Sequence, residues 1–360
     1  MASSNEGLSK VDWIPASSSY KRGLILLIYV DDCLFFGSEG DIIDKGEIRD
    51  LEKEFDLRDE GDVGAFLGIN IARLKDDRFE LTQPYLIEKV LRLLGLEDSR
   101  SGRTPANVKT LETDENGPPP EENWGYATAI GMLMYLASNS RPDIAFAVHQ
   151  CARFSHRTRK VHETAIKKIG RYLQGTRKNG LILEPSDGSL KLDCYVDADF
   201  AGLWGAEDPQ DPVCVKSRTG YVLTLSGAPV LWVSKLQTEI ALSTTEAEYV
   251  ALSQSMRDLL PMKSLLSELI KMIGSYNDDL QVTTKSTVFE DNNGARILAT
   301  SPKMTPRSKH IAVKYHFFRS KVDSGEVEIV RVDTTQKADI FTKGLAAESF
   351  ENVRKLLMGW

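Results

Sequence analysis

Residues 24–30 and 33–36 are unbroken apolar runs, the pattern of buried strands. The pair Asp31-Asp32 lies between them, which predicts a hairpin with two acids at its tip. Ile42, Ile43, Ile48, Leu51 and Phe55 recur at helical spacing over 41–55. Strands are predicted over 63–72 and 78–81, then a short amphipathic helix over 83–94 stopped by Gly95. Residues 97–123 lose periodicity and contain Gly117-Pro118-Pro119-Pro120, so they read as a linker. Helices are predicted over 126–137, 142–154 and 158–174. The third gathers Val161, Ala165, Ile169, Tyr172 and Leu173 on one face, with Lys160, Lys167, Lys168 and Arg171 mostly off it.

From residue 190 the pattern changes to three strands, over 190–196, 219–226 and 229–234. A long helix over 244–273 follows, interrupted near Pro261. Next come a strand over 287–290, a helix from Asn292, a helix over 312–322, a strand over 327–332, and one or two closing helices over 337–357. The fold class this implies is α+β, a mixed α/β arrangement ending in a five-stranded mixed sheet with flanking helices. Residues 1–19 are mostly polar, and the start over 1–22 reads as disordered, displaced or outside the family pattern.

Composition bounds the reading. The chain has 360 residues, 41% hydrophobic and 27% charged, enough for two or three globular domains. A net charge of −7 excludes a globally basic nucleic-acid binder. Locally the balance reverses: 151–178 holds nine Lys or Arg against Glu163 alone, and 303–321 holds six with no acid. Either segment can attract a polyanion or can simply be a solvated helix face. The four cysteines are widely spaced, which suggests neither a zinc site nor a disulfide framework and fits a reducing compartment. No apolar run is long enough to span a bilayer and no secretory leader pattern opens the chain. A cytoplasmic or nuclear protein is therefore expected.

Four acids fall at predicted element ends: Asp197, Glu246, Asp291 and Asp339. Converging carboxylates can hold two Mg²⁺ ions about 3.5–4 Å apart for phosphodiester hydrolysis, with Mn²⁺ as a substitute. Helix caps and solvated strand ends are the bland alternative, and Lys343, four residues after Asp339, offers that acid an ordinary helical ion pair. Glu246 and Glu248 are two apart and point to opposite sides of a helix. Glu246 shares a face with Tyr249 and Val250, so Glu246 is the expected site residue.

The sequence around these acids resembles the ribonuclease H domain of Ty1/copia-type retrotransposon polyproteins. The resemblance rests on Tyr195-Val196-Asp197-Ala198-Asp199-Phe200-Ala201-Gly202, the block from Trp232-Val233-Ser234-Lys235 to Tyr249, Glu290-Asp291-Asn292-Asn293-Gly294-Ala295, Ser308-Lys309-His310-Ile311, Tyr315-His316-Phe317 and Ala338-Asp339-Ile340-Phe341-Thr342-Lys343, in the family's order. It implies a metal-dependent endonuclease that cuts the RNA strand of RNA–DNA hybrids, with Asp197, Glu246, Asp291 and Asp339 as ligands of two Mg²⁺ ions. His310 could assist product release or proton transfer, or could be a packing histidine. The basic segments become hybrid contacts, through Arg153, Arg157, Lys160, Lys167, Lys168, Arg171, Lys309 and Lys314. The acidic loop 203–216 could tune access or be a surface insertion.

Upstream, Leu133-Met134-Tyr135-Leu136, Arg141-Pro142-Asp143-Ile144 and Arg171-Tyr172-Leu173-Gln174-Gly175 resemble the family's connection. Tyr29-Val30-Asp31-Asp32 resembles the reverse transcriptase palm hairpin, making Asp31 and Asp32 further metal-ligand candidates. The expected organisation is a start (1–22), a truncated palm and thumb (23–96), a linker (97–123), connection helices (124–180) and a ribonuclease H-like domain (188–360). A polymerase needs a third acid upstream of Tyr29, so no DNA synthesis is expected. Other Pol or Gag proteins are possible partners, and virus-like particles a cytoplasmic location. The competing expectation is a catalytically inactive, nucleic-acid-binding remnant of a retroelement.

Overall fold

The computed structural model of the protein describes residues 9–10, 17–21, 24–37, 53, 58, 60–76, 78–121, 125–184, 190–205, 211–274, 285–301, 316–332 and 336–360. Strands β1 (Ser9–Lys10), β2 (Ser17–Lys21), β3 (Leu24–Tyr29) and β4 (Asp32–Gly37) form an antiparallel sheet in that order. The β3–β4 hairpin is as expected, and Val30 at its tip takes a left-handed φ of 53°. Of the readings of the start, the strand at 17–21 departs from the disordered one. Its backbone pairs Ser17 with Ile28 and Lys21 with Leu24. Ladder hydrogen bonds are made by the main chain, so a polar strand leaves little trace in the apolar pattern. The helix predicted over 41–55 lies almost wholly outside the described residues.

A second antiparallel sheet joins β5 (Ala65–Phe66), β6 (Ile69–Arg73), β7 (Phe79–Thr82) and, from far along the chain, β8 (Leu181–Leu183). Leu67 and Gly68, both at positive φ, make the two-residue β5–β6 turn whose twist suits a hairpin. Helix α1 (Pro84–Leu93) starts on a proline and ends at Gly95 in the left-handed region, with Leu96 N–H donating back to Leu91 O at 2.9 Å. Helices α2 (Tyr126–Asn139), α3 (Ala145–Ala152) and α4 (Lys160–Gly175) follow.

The third sheet has the order β11-β10-β9-β12-β13. Strands β9 (Leu192–Asp199), β10 (Arg218–Leu225) and β11 (Ala228–Leu236) are antiparallel, while β12 (Ser286–Glu290) runs parallel to both β9 and β13 (Val327–Arg331). This is the mixed five-stranded sheet expected from the sequence. Helix α5 (Thr244–Gly274) connects β11 to β12; α6 (Asn293–Thr300) and α7 (Arg319–Asp323) lie between β12 and β13, and α8 (Ala347–Met358) closes the chain. The break anticipated near Pro261 is absent: α5 continues through it. Proline removes one backbone donor, and the packing of α5 along the sheet outweighs that loss.

The two faces of this sheet lie in different cores. Cys194, Val196, Tyr221, Leu223 and Val288 pack under Tyr249, Leu252, Met256 and Leu259 of α5. On the other face, Tyr195, Val222 and Trp232 meet Leu133, Leu136, Val148, Ile169 and Leu173 of α2–α4, together with Ile144 just before α3 and Phe341, Phe350 and Val353. Trp232 Nε1 donates to Ala137 O at 2.6 Å, and Trp360 Nε1 to Gly180 O at 2.7 Å. Beneath them Arg141 makes a bidentate pair with Asp143 at 2.9 and 2.8 Å, both side chains buried. The helices over 124–180 and the final sheet are one packed body.

Residues 97–121, though irregular, are pinned along their length. Gly102 N–H donates to Arg171 O (2.9 Å), Thr110 Oγ1 to Gly202 O (3.3 Å), and Lys160 N–H to Pro118 O (3.0 Å).

Candidate metal centre

Sheet order brings three chain segments to one edge. Asp197 lies near the C-terminal end of β9, Asp291 directly follows β12, and the two strands are parallel neighbours. The first turns of α5 pack against β9 and supply Glu248. Asp197, Glu248 and Asp291 each offer a carboxylate oxygen within 4.8 Å of one another, and among the described residues they are the one group of three that could hold a metal ion.

The structure corrects the choice of Glu246. Its Oε2 accepts from Leu242 N–H at 2.8 Å, while its own N–H donates to Ser243 Oγ at 3.1 Å. Glu246 thus caps α5 and is not part of the group formed by the other acids. The physical reason is that α5 loses its solvent face from Ala247 onward: Ala247, Tyr249, Val250, Ala251 and Leu252 are all buried, so Glu248 is enclosed at 7% exposure, while Thr244 to Glu246 still reach solvent. Sharing a face with Tyr249 did not decide which acid turns to the sheet edge. The Ser-x-x-Glu capping pattern was the signal available in the sequence.

Asp339 stands beside this group. A tight turn over Asp339–Phe341 is held to the sheet by Ser234 Oγ donating to Phe341 O at 2.6 Å and by Gln336 Nε2 donating to Val196 O at 2.8 Å. Gly220 on β10 makes the approach possible. A Cβ there would lie 2.6 Å from Thr342 Cγ2 and 2.8 Å from Phe341 Cβ. The Asp339 carboxylate accepts from Gln336 N–H at 3.0 Å and pairs with Lys343 Nζ at 2.7 Å. The ion pair with Lys343 does form, but Asp339 is only 4% exposed and the pair faces the acids. Lys343 Nζ also reaches 3.7 Å from Asp197 Oδ2, which accepts from the Thr342 hydroxyl as well.

Two further carboxylates were missed. Glu290, fully buried at the end of β12, accepts from Asn292 N–H at 2.9 Å through Oε1, and its Oε2 has no partner. Asp199 lies two residues beyond Asp197. Burial raises the pKa of Glu248, with Glu290, Asp197 and Asp291 adding repulsion. Burial likewise raises Glu290, Asp197, Asp199 and Asp291. A buried anionic cluster of this kind, with Glu248 Oε2 lacking a hydrogen-bond partner, is matched chemically by a hard divalent cation and its oxygen preference.

Asp31 and Asp32 are exposed at the β3–β4 tip, and among the described residues they belong to no group of three potential ligands. His310, Lys309 and Lys314 lie outside the described residues, as does the centre of the loop 203–216. On α4, Lys167 pairs with buried Glu163 at 2.9 Å, and Lys160 with the same Glu163 at 3.5 Å and with Glu121. These lysines answer an internal acid and the 97–121 segment. Arg153 lies over the Phe154 ring and donates to Gln150. Lys168 is half-buried, while Arg157 and Arg171 are exposed.

Residues 14–108 match the family model described as reverse transcriptase (RNA-dependent DNA polymerase). The chain is 35% identical over 342 residues to the retrovirus-related Pol polyprotein from transposon TNT 1-94 of Nicotiana tabacum, covering 93% of this chain and 24% of that protein. It is 30% identical over 239 residues to the putative transposon Ty5-1 protein of Saccharomyces cerevisiae, covering 66% of this chain and 74% of that one. The chain therefore spans about a quarter of the length of the tobacco relative. Among solved structures, the ribonuclease H1 LC11 in complex with RNA/DNA hybrid matches at 16% identity and a TM-score of 0.25, covering 40% of this chain and 86% of that one.

Proposed function

Because the chain belongs to the Pol polyprotein family of Ty1/copia-type retrotransposons, we propose that it is a metal-dependent endonuclease cutting the RNA strand of RNA–DNA hybrids. The convergence of Asp197, Glu248 and Asp291 at one sheet edge carries this reading, with Asp339 a turn away. These acids would hold Mg²⁺ or Mn²⁺, which supplies water activation and charge neutralisation at the scissile phosphate. Asp197 is aimed by the Thr342 hydroxyl. Glu248 is held by the packed first turns of α5 against β9. Gln336 fixes the turn that presents Asp339. None of these side chains needs to become bonded to substrate; the reaction is in-line attack of water on phosphorus. Arg157, Lys168 and Arg171 on and beside α4 are the proposed backbone contacts, with a steep salt dependence.

The test is cleavage of an end-labelled RNA–DNA hybrid in Mg²⁺ and then Mn²⁺. We expect cleavage by the native chain and none by Asp197→Asn. A folded native chain that binds the hybrid but leaves it intact in both metals would overturn the nuclease reading in favour of a binding remnant.

A further inference from the structure

Lys343 is the one feature of the centre that its carboxylates do not explain. It lies four residues after Asp339 on the tight turn, and its ammonium is 2.7 Å from Asp339 Oδ1 and 3.7 Å from Asp197 Oδ2. It thus sits between the acid shared with Glu248 and Asp291 and the acid that stands outside that trio. Its position is built: Phe341 O accepts from Ser234, Gln336 ties the turn to β9, and Gly220 leaves room for Thr342. At Gly344 a Cβ would lie 2.0 Å from Asn107 O, so the 97–121 segment closes over the residue after Lys343. The side chain itself is 48% exposed. It can therefore leave on its four-carbon stem without disturbing the turn.

We propose that Lys343 is a resident counter-cation that keeps the Asp339 half of the centre closed until substrate arrives. Its ammonium offsets one of the two negative charges of Asp197 and Asp339 in the nucleic-acid-free protein. The trio Asp197, Glu248 and Asp291 then takes one divalent cation, and the Asp197–Asp339 side takes a second only when Lys343 is withdrawn. A substrate phosphate is the chemistry that withdraws it, because a phosphate oxygen offers the ammonium a replacement anion. The proposal rests on the nuclease reading above and makes binding of a second ion depend on substrate.

The experiment counts Mn²⁺ bound to the full chain without nucleic acid, by electron paramagnetic resonance of the unbound ion, with thermal melts to confirm folding. The native chain should bind one ion and Lys343→Gln two, the second at least ten-fold tighter than any second ion on the native chain. Lys343→Arg keeps the charge and should bind one. Equal counts and affinities for native and Lys343→Gln, with Asp197-dependent cleavage intact, would overturn the role of Lys343 alone. So would Lys343→Arg binding two. Failure of every folded chain to bind Mn²⁺ would overturn this proposal and the nuclease reading together.

Discussion

Two glutamates two residues apart separate what a side chain's neighbours in sequence imply from what its surroundings decide. Glu246 caps α5 through Leu242 and Ser243, whereas Glu248 sits among Asp197, Glu290 and Asp291. Glu248→Gln should therefore lower hybrid cleavage by at least 100-fold and weaken Mn²⁺ binding. Glu246→Ala should keep cleavage and cost about 1 kcal/mol, the usual worth of a helix cap. Cleavage assays and urea melts on both variants check this, and the reverse pattern would return the site to Glu246. Asp197, Asp291 and Asp339 were legible because each ends an apolar strand or opens a turn. Glu290 was not: it stands next to Asp291 at the end of the same strand, and only the packing around it shows that it too is fully buried.

Individual elements show where helix faces are set by partners far away in sequence. On α3, the His149 imidazole is pushed down to about 4 by burial, with Arg218 of β10 adding repulsion. Its folded pKa lies below the ordinary 6.5, so folding favours the neutral ring. The associated stability is complete above pH 6.5 and is lost as pH falls toward 4, a swing on the order of 3 kcal/mol. Arg218 lies over the Phe146 ring, so the group opposing His149 belongs to the final sheet and the effect reports on docking of α3. His149→Gln should flatten the fall in urea midpoint between pH 7 and pH 4.5. An identical fall in variant and native chain would refute this account. Helix α4 carries the complementary lesson. Its amphipathic pattern was readable, but the commitment of Lys160 and Lys167 to Glu163 required knowing that Glu163 is buried beneath them.

At the level of the whole molecule, neither 97–123 nor the step from 180 to 188 separates two cores. Ile87, Val90 and Leu91 of α1 share a cluster with Leu133, Leu136 and Ile169, and Tyr195, Val222 and Trp232 of the final sheet pack into the same cluster, while Trp360 closes over Gly180 and Arg141. Residues 188–360 expressed alone would expose that face, an apolar patch too large to remain in water without association. We expect them to be insoluble or to lack a cooperative melt, and residues 78–360 to melt cooperatively. Circular dichroism melts of the two pieces decide it. A cooperative, monomeric 188–360 would show that the connection helices are dispensable for folding.

The sequence by itself determined what depends on near neighbours: the strand and helix periods, the β3–β4 hairpin, the stop at Gly95, the five strands of the last sheet, and the ordered motifs that carry the family resemblance. Tertiary structure alone decided what depends on direction and enclosure. It turned Glu248 rather than Glu246 to the sheet edge, set Lys343 between two acids, carried α5 through Pro261, and joined the connection helices to the final sheet. The reason is physical. Backbone period follows local sterics and hydrogen bonding, whereas the role of a buried charge follows from every group packed around it, and most of those groups lie tens to hundreds of residues away.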